Sequence, residues 1–321
     1  LTHRKDRIRI YSSSWGPTDS GMDMVAPGRV TQAALKQGYE SGQTIYIWAG
    51  GNGRQASDSS NYDGYANSPY TLAIGAIDHN GQQAWYSEGG ANLIAVAPSS
   101  GAGKRITTVD LMGANGYSHG QCTNNFGGTS SAAPLAAGIV ALMLESRPDL
   151  RVRDVQHIIA KAASKNVRVT KEWSPKNARG YQHSNEFGFG LLKTKQLLKE
   201  TKGHTLVPHP VKYVHSATVT SSSCRVNVPT SLYFIERVLV TVDMVHGRRG
   251  QVGVKLKSPV TTSDLAQKRG DTHRGRFVWT YTSLRHWGEE LKAGDFWTVE
   301  VTDLVPNDAY IGTVQSLSLI H

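Results

Sequence analysis

The chain has little cysteine. Cys122 and Cys224 are alone in 321 residues, too few for a disulfide framework, so the fold must be held by its cores. It has no run long and apolar enough to read as a bilayer span. Internal repeats and low-complexity tracts are missing too, which excludes solenoids and linker-like chains. Charge is plentiful but unpatterned. Lys and Arg number 35 against 25 Asp and Glu, a net +10, yet the basic residues are scattered (Arg4, Lys5, Arg7; Arg151, Arg153; Arg248, Arg249; Lys268, Arg269). No helical pattern carries a basic stripe interleaved with aromatics, so the reading is a solvated cationic surface and no nucleic-acid partner. A starting Met is lacking as well. Residues 1–9 lead at once into apolar alternation, which predicts a chain that begins inside a domain, a fragment without a signal peptide of its own.

The length is enough for two domains, each with a core of its own. The first two thirds alternates short apolar runs with helical patterns. Strands are predicted at 8–11, 44–49, 70–77 and 93–96; the second is a continuous apolar run of the kind buried on both sheet faces. Helices are predicted at 29–39, 130–146, 153–164 and 190–200. That order gives an α/β, doubly wound parallel sheet, whose ligands bind in loops at the strand C-termini. His204, Pro208, His209 and Pro210 read as a linker, so domains of 1–203 and 204–321 are expected. Beyond it, strands at 213–219, 237–245, 251–256, 276–279, 296–301 and 311–319 predict an all-β sandwich.

The chemistry concentrates at Gly127-Gly128-Thr129-Ser130-Ser131-Ala132-Ala133-Pro134. Two glycines allow close backbone approach, and the helix start behind them points free amides at a ligand. Ser130 is therefore the candidate nucleophile, with Ser131 one residue away as the alternative and a plain Ser/Thr helix cap as the bland one. A tetrahedral intermediate needs donors fixed where its negative charge forms. Asn52, in Trp48-Ala49-Gly50-Gly51-Asn52-Gly53 after a buried strand, offers one, although an Asn among glycines is more often a turn residue.

With Tyr11-Ser12-Ser13-Ser14-Trp15-Gly16-Pro17 upstream, the chain resembles the kexin/furin-like proprotein convertases among the subtilisin-like serine proteases. Asp63-Gly64-Tyr65-Ala66-Asn67-Ser68, Trp85-Tyr86-Ser87-Glu88 and Phe187-Gly188-Phe189-Gly190-Leu191-Leu192 extend the likeness over nearly the whole first domain. The tail resembles the family's jelly-roll-like P domain, with Arg248-Arg249-Gly250 in a hairpin and His286-Trp287-Gly288-Glu289 near Gly294-Asp295-Phe296-Trp297. The resemblance implies an endopeptidase that cuts precursor proteins after basic residues, in the secretory pathway (Golgi, cell surface or secreted). Basic-motif precursors and the protein's own propeptide are then its partners; no membrane anchor is legible. By the same resemblance Ser130 is the nucleophile and Asn52 its oxyanion partner. Trp15, Pro17, Asp19, Ala49, Asp63 and Tyr65 line the substrate site, with Asp19 and Asp63 as acidic walls for a P1 guanidinium, which favours paired carboxylates. Asp19, Asp58 and Glu88 are implied as calcium ligands, in keeping with the oxygen preference of that hard cation.

Departures from the family pattern are specific. The family's acid and base both precede the 11–17 segment, and the histidines before Ser130 (His3, His79, His119) do not match the family's catalytic histidine. A serine without a base keeps its proton, so this chain alone is expected to be inactive. Truncation explains the absence; a non-catalytic pseudo-protease that binds basic peptides is the alternative. Val25 stands at the place of the family's P4-recognising aspartate, with Asp23 two residues away. Ser60 and Gly90 stand where the family often has a bonded cysteine pair, and Cys122 matches a cysteine whose partner lies upstream. The Arg269-Gly270-Asp271 triplet reads as a charged turn between strands.

Overall fold

The structure is a computed structural model and describes residues 1–4, 6–170, 173–215, 223–228, 230–305 and 311–320. Its first sheet is built from β1 (Ile10–Ser13), β2 (Ile45–Ala49), β3 (Thr71–Ile77) and β4 (Leu93–Pro98), in that spatial order and all parallel. Ser13 pairs with Trp48 and Trp48 with Ala73, while Ile77 pairs with Pro98, so β1 and β2 end together, β3 and β4 end three residues further on, and the loops after all four leave the same end of the sheet. β2 is buried throughout because both its faces are covered. Tyr46 and Trp48 pack with Leu35 of helix α1 (Arg29–Glu40), while Ile45 and Ile47 join the main core on the other face. Gly38 inside α1 has a packing reason: a Cβ there would lie 2.0 Å from the Tyr46 hydroxyl.

A short antiparallel ribbon of β5 (Ile106–Val109) and β6 (Cys122–Phe126) leads into α2 (Thr129–Ser146). That helix is 18 residues long with mean hydropathy 1.2, enough by length and composition to cross a bilayer, contrary to the sequence expectation. Its Ala132, Ala133, Ala136, Val140 and Met143 instead lie in the core beside Ile47, Ile74 and Ala95, so it is the central helix of this domain. α3 (Val152–Ala162) and α4 (Thr194–Gly203) pack on the same side. The helix expected at 190–200 starts four residues later, because Leu191 bridges to Val96 and Ser164 and is held extended.

The second domain is a sandwich of two four-stranded antiparallel sheets, as the alternating pattern predicts. Its strands are β7 (Lys212–His215), β8 (Ser223–Asn227), β9 (Arg237–His246), β10 (Val252–Lys257), β11 (Thr262–Ala266), β12 (Gly275–Ser283), β13 (Phe296–Asp303) and β14 (Ile311–Ile320). One sheet runs β11-β10-β13-β8 and the other β12-β9-β14-β7. Val240, Val242, Val254, Leu256, Tyr281, Trp297 and Val299 meet between them. β8 and β11 are additions to the strands read from sequence, and residues 216–219 of the expected first strand lie outside the described residues. Arg248-Arg249-Gly250 is not in a hairpin. It lies on a 3₁₀ turn (Arg249–Gln251) that carries the chain from β9 in one sheet to β10 in the other.

The domains are joined by buried groups. Trp287 of the second domain is enclosed in the first domain's core against His157 and Phe189, a burial that contributes roughly 2–3 kcal/mol. The Asn61 side chain donates to the carbonyl of Thr282 (3.1 Å) and accepts from its N–H (3.0 Å), acting as a short strand against β12. Its own carbonyl accepts from Trp279 Nε1 at 2.9 Å.

Candidate active site

α2 begins at Thr129 because Gly128 takes φ +75°, a conformation costly for any side chain. Thr129 N–H and Thr129 Oγ1–H both donate to Asn52 Oδ1, at 2.8 and 3.0 Å, and Thr129 Oγ1 accepts from Gly51 N–H at 3.2 Å. These donors fix the Asn52 amide with its oxygen inward and its Nδ2 outward, where one bond reaches Asp19 Oδ2 at 3.3 Å. Ser130, next in the helix, is half-buried. As the second residue of α2 its N–H has no intrahelical acceptor, and none is supplied by another backbone carbonyl among the described residues. Pro134 has no N–H to give the Ser130 carbonyl four residues back, and Ser14 Oγ–H fills that place at 2.9 Å. Ser130 Oγ itself reaches only the Ser14 carbonyl, at 3.4 Å; among the described residues no histidine or carboxylate is bonded to it. Ser131, the alternative nucleophile, is buried and bonds Ser99 Oγ at 2.6 Å, which leaves it no access to a substrate.

The expected substrate-site residues gather at the C-terminal end of the parallel sheet. Trp15, Pro17 and Asp19 follow β1, Ala49 ends β2, Asp63 and Tyr65 lie between β2 and β3, and Glu88 lies between β3 and β4. Trp15, Trp48 and Tyr65 form an aromatic triangle with centroids 4.8–5.1 Å apart. Asp63 Oδ1 accepts from the N–H groups of Tyr65 (2.7 Å) and Ala66 (3.3 Å). The other oxygen rests against Gly16, where a Cβ would come within 2.7 Å of it. Burial pushes the Asp63 carboxyl up to about 7 despite those two donors, with the Asp19 and Asp58 charges adding to the rise. Val25 is exposed and bridges to Asp63. The Asp23 carboxylate is held by Ser20 Oγ–H at 3.0 Å.

A second acidic group lies behind. Gly53 packs against it: a Cβ there would sit 2.8 Å from Asp58 Cβ, 2.9 Å from the Asp19 backbone carbonyl oxygen and 2.9 Å from Glu88 Oε1, the one carboxylate oxygen at that point. Gly51 is also required, since Glu88 Cδ would be 2.4 Å from its Cβ. Burial, then the Asp58 and Asp19 charges, raise the Glu88 carboxyl well above the usual range. Asp58 is also raised, by burial first, while N–H bonds from Gly21 and Ser59 and the Arg269 guanidinium pull the other way. Among the described residues no three acids, histidines or cysteines lie together as a metal-holding group. The Glu88 carboxylate and the Asp19 backbone carbonyl beside it, with the Asp58 and Asp19 charges acting on Glu88, offer the oxygen donors that a hard cation takes, the rest of its shell being further backbone carbonyls and water.

Thr129, Ser14, Gly16 and Gly53 escaped the sequence reading as parts of this site. Pro134, four residues after Ser130, was the signal for an outside donor to that carbonyl. Ser60 and Gly90 are neighbours as their positions imply, a Gly90 Cβ falling 2.3 Å from Ser60 Oγ, and Cys122 and Cys224 are both free thiols.

Comparisons with known proteins agree with this architecture. The model of the subtilase family matches residues 2–190, and that of the proprotein convertase P-domain matches residues 235–321. Proprotein convertase subtilisin/kexin type 7 of Mus musculus is 37% identical over 97% of this chain and 43% of its own length. Type 6 of Homo sapiens is 35% identical over 99% of this chain and 34% of its own length, and the PC3-like endoprotease variant B of Hydra vulgaris 34% over 94% and 45%. The chain thus spans less than half the length of these curated relatives. A crystal structure of a serine protease of Aeromonas sobria shares the fold, with TM-score 0.82, 22% identity, and coverage of 98% of this chain and 71% of that one. The chain belongs to the subtilase family, and carries a proprotein convertase P-domain behind its subtilase domain.

Proposed function

We propose that the whole protein is a serine endopeptidase of the proprotein-convertase type, cutting precursor proteins after basic residues with arginine at P1. The observation that carries this reading is a chain of hydrogen bonds: Ser130 follows Thr129, Thr129 holds Asn52, and Asn52 touches Asp19. Nucleophile, oxyanion donor and an acid for a cationic side chain are thereby fixed to one another. In the reaction Ser130 Oγ attacks the scissile carbonyl, and its N–H and the second Nδ2 proton of Asn52 receive the developing oxyanion. Asp63 Oδ2 and Asp19 take the P1 guanidinium, helped by the carbonyls of Pro17 and Ala49, while Trp15 and Tyr65 wall the site. The proton of Ser130 needs a base, which an upstream histidine and aspartate supply in the whole protein; this chain alone is inactive. Asp19, Asp58 and Glu88 would hold calcium, which neutralises the acids behind the pocket and fixes its wall. With Val25 exposed and Asp23 tied to Ser20, arginine at P4 is not demanded.

The partners are basic-motif precursors and the protein's own propeptide, met in the secretory pathway. The test is hydrolysis of a P1-arginine peptide by the whole protein, abolished by Ser130→Ala and by calcium chelation. Activity that survives Ser130→Ala rejects the site. The absence of any base at Ser130 Oγ among the described residues favours one other reading, a pseudo-protease that captures basic peptides; peptide binding without turnover by the whole protein would select it.

A further inference from the structure

The Arg269-Gly270-Asp271 triplet is not an exposed turn. Arg269 is 6% exposed and Asp271 2%, both enclosed where the second domain meets the acidic end of the first. The Arg269 guanidinium lies 3.8 Å over the Tyr62 ring. Its Nη1 donates to the Asp23 carbonyl at 2.8 Å and faces Asp58 Oδ1 at 3.4 Å, while Nη2 donates to Asp271 Oδ2 at 2.6 Å. Gly250 seats the loop: its N–H donates to the Asp271 carbonyl and its carbonyl accepts from Arg269 N–H, both at 2.9 Å. A Cβ on Gly250 would fall 2.6 Å from the carbonyl oxygens of Arg269 and Asp271.

The charges can be paired off. Asp271 also receives Arg249 Nε at 2.6 Å, and His273 through its N–H and ring, so its needs are met without Arg269. Arg269 therefore keeps charge to offer across the domain boundary. Among the described residues it is the only cation within ion-pair distance of Asp58. Asp58 in turn lies near enough to Glu88 and Asp19 for their charges to act on one another, and its Cβ and Glu88 Oε1 both pack against Gly53.

We propose that Arg269 is the positioning residue through which the P-domain fixes Asp58, and that it and a divalent cation both serve to neutralise the same acidic group. The inference rests on the calcium site proposed above. The guanidinium is a permanent partial countercharge. Its presence makes docking of the domains tolerant of low calcium and lowers the affinity of the acids for the ion. A merely structural arginine would act the other way, since a loosened site binds calcium more weakly.

The experiment uses the whole protein carrying Ser130→Ala, to prevent self-digestion. Calcium affinity is read by calorimetry, and thermal unfolding is followed with and without a chelator. The binding counted is that lost in a Glu88→Gln control. Arg269→Gln is expected to tighten this calcium binding on the order of fivefold, by removing a like charge nearby, and to enlarge the chelator-induced fall in Tm. Arg269→Lys, which keeps the charge but not the fork, is expected to lower Tm while leaving the calcium affinity within twofold of the parent. Unchanged or weaker calcium binding in Arg269→Gln overturns the linkage and leaves the calcium site standing. No calcium binding above the Glu88→Gln control in the parent overturns the site itself. If Arg269→Gln does not fold even with calcium, a change beyond twofold in Arg269→Lys overturns the charge argument.

Discussion

Ser14 Oγ–H donates to the carbonyl of Ser130 at 2.9 Å, the very carbonyl that Pro134 deprives of its helical partner. The loop after β1 and the first turn of α2 are thus tied at Ser130, the proposed nucleophile. Ser14→Ala should cost about 0.5–1 kcal/mol in chemical denaturation, at the low end for a hydrogen bond because water can reach the group. In a Pro134→Ala background the helix supplies its own N–H, so the Ser14→Ala cost should nearly vanish. Equal costs in both backgrounds reject the tie.

As the proposed acid of the P1 pocket, Asp63 should make ligand binding depend on pH. Its carboxyl stands at about 7, above the unfolded value of 3.8, so its contribution to stability is full below the unfolded value and lost as pH rises through about 7. Cation binding has the opposite sign, because a guanidinium pairs with the carboxylate. Argininamide affinity for whole protein carrying Ser130→Ala should therefore rise between pH 6 and 8, by up to about tenfold, and Asp63→Asn should flatten the profile. A steep profile that persists in Asp63→Asn would assign the titration elsewhere.

Ser60 and Gly90 invite a cross-link. Gly90 has no positive φ, and a Cβ built on it would lie only 2.3 Å from Ser60 Oγ, so side chains at the two positions are within bonding reach. The paired substitution Ser60→Cys and Gly90→Cys should form a disulfide closing about 30 residues, worth at most about 3–4 kcal/mol on loop-closure grounds. Loss of the Ser60–Asn92 bond (2.7 Å) reduces the gain. Tm measured with and without reductant decides it; equal values mean that the bond fails to form or to constrain the chain.

Glu236 of the second domain accepts from Arg153 Nε at 3.0 Å and meets His157 Nε2 at 2.8 Å, all three on the domain boundary. Burial alone would raise its carboxyl, but hydrogen bonds from His157 and Arg153 and their charges hold it at about 2. This contribution is full above the unfolded value of 4.5 and lost as pH falls through about 2. Glu236→Gln should cost roughly 3–5 kcal/mol near neutrality, because it strands a buried guanidinium. The difference from the parent should shrink on acidification; a difference constant with pH contradicts the ion pair.

The parallel sheet was legible because β2 and β3 are apolar at nearly every position, which only a sheet covered on both faces requires. α2 was legible from its small residues. The β5–β6 ribbon was not, since Cys122–Phe126 is largely exposed and polar and leaves no alternating trace. In the candidate site, Ser130, Asn52 and the acids could be singled out from sequence because each stands in a recognisable motif. Arg269 was not, because a charged turn and a buried countercharge have the same sequence, and only the fold brings Asp58 to meet it. The Gly53 role was hidden likewise: the glycine matters for what approaches it from residues 19, 58 and 88.

Residues 58–67 carry Asp58 and Asp63 toward the pocket, and Asn61, Tyr62 and Asn67 toward the second domain. The modular unit is therefore not the boundary drawn by sequence. A P-domain transplanted from a relative would arrive without the ten residues its β12 edge is cut to receive, and the pocket would inherit the mismatch. Exchange between such proteins should succeed when that segment travels with the domain it faces, although it is encoded far upstream.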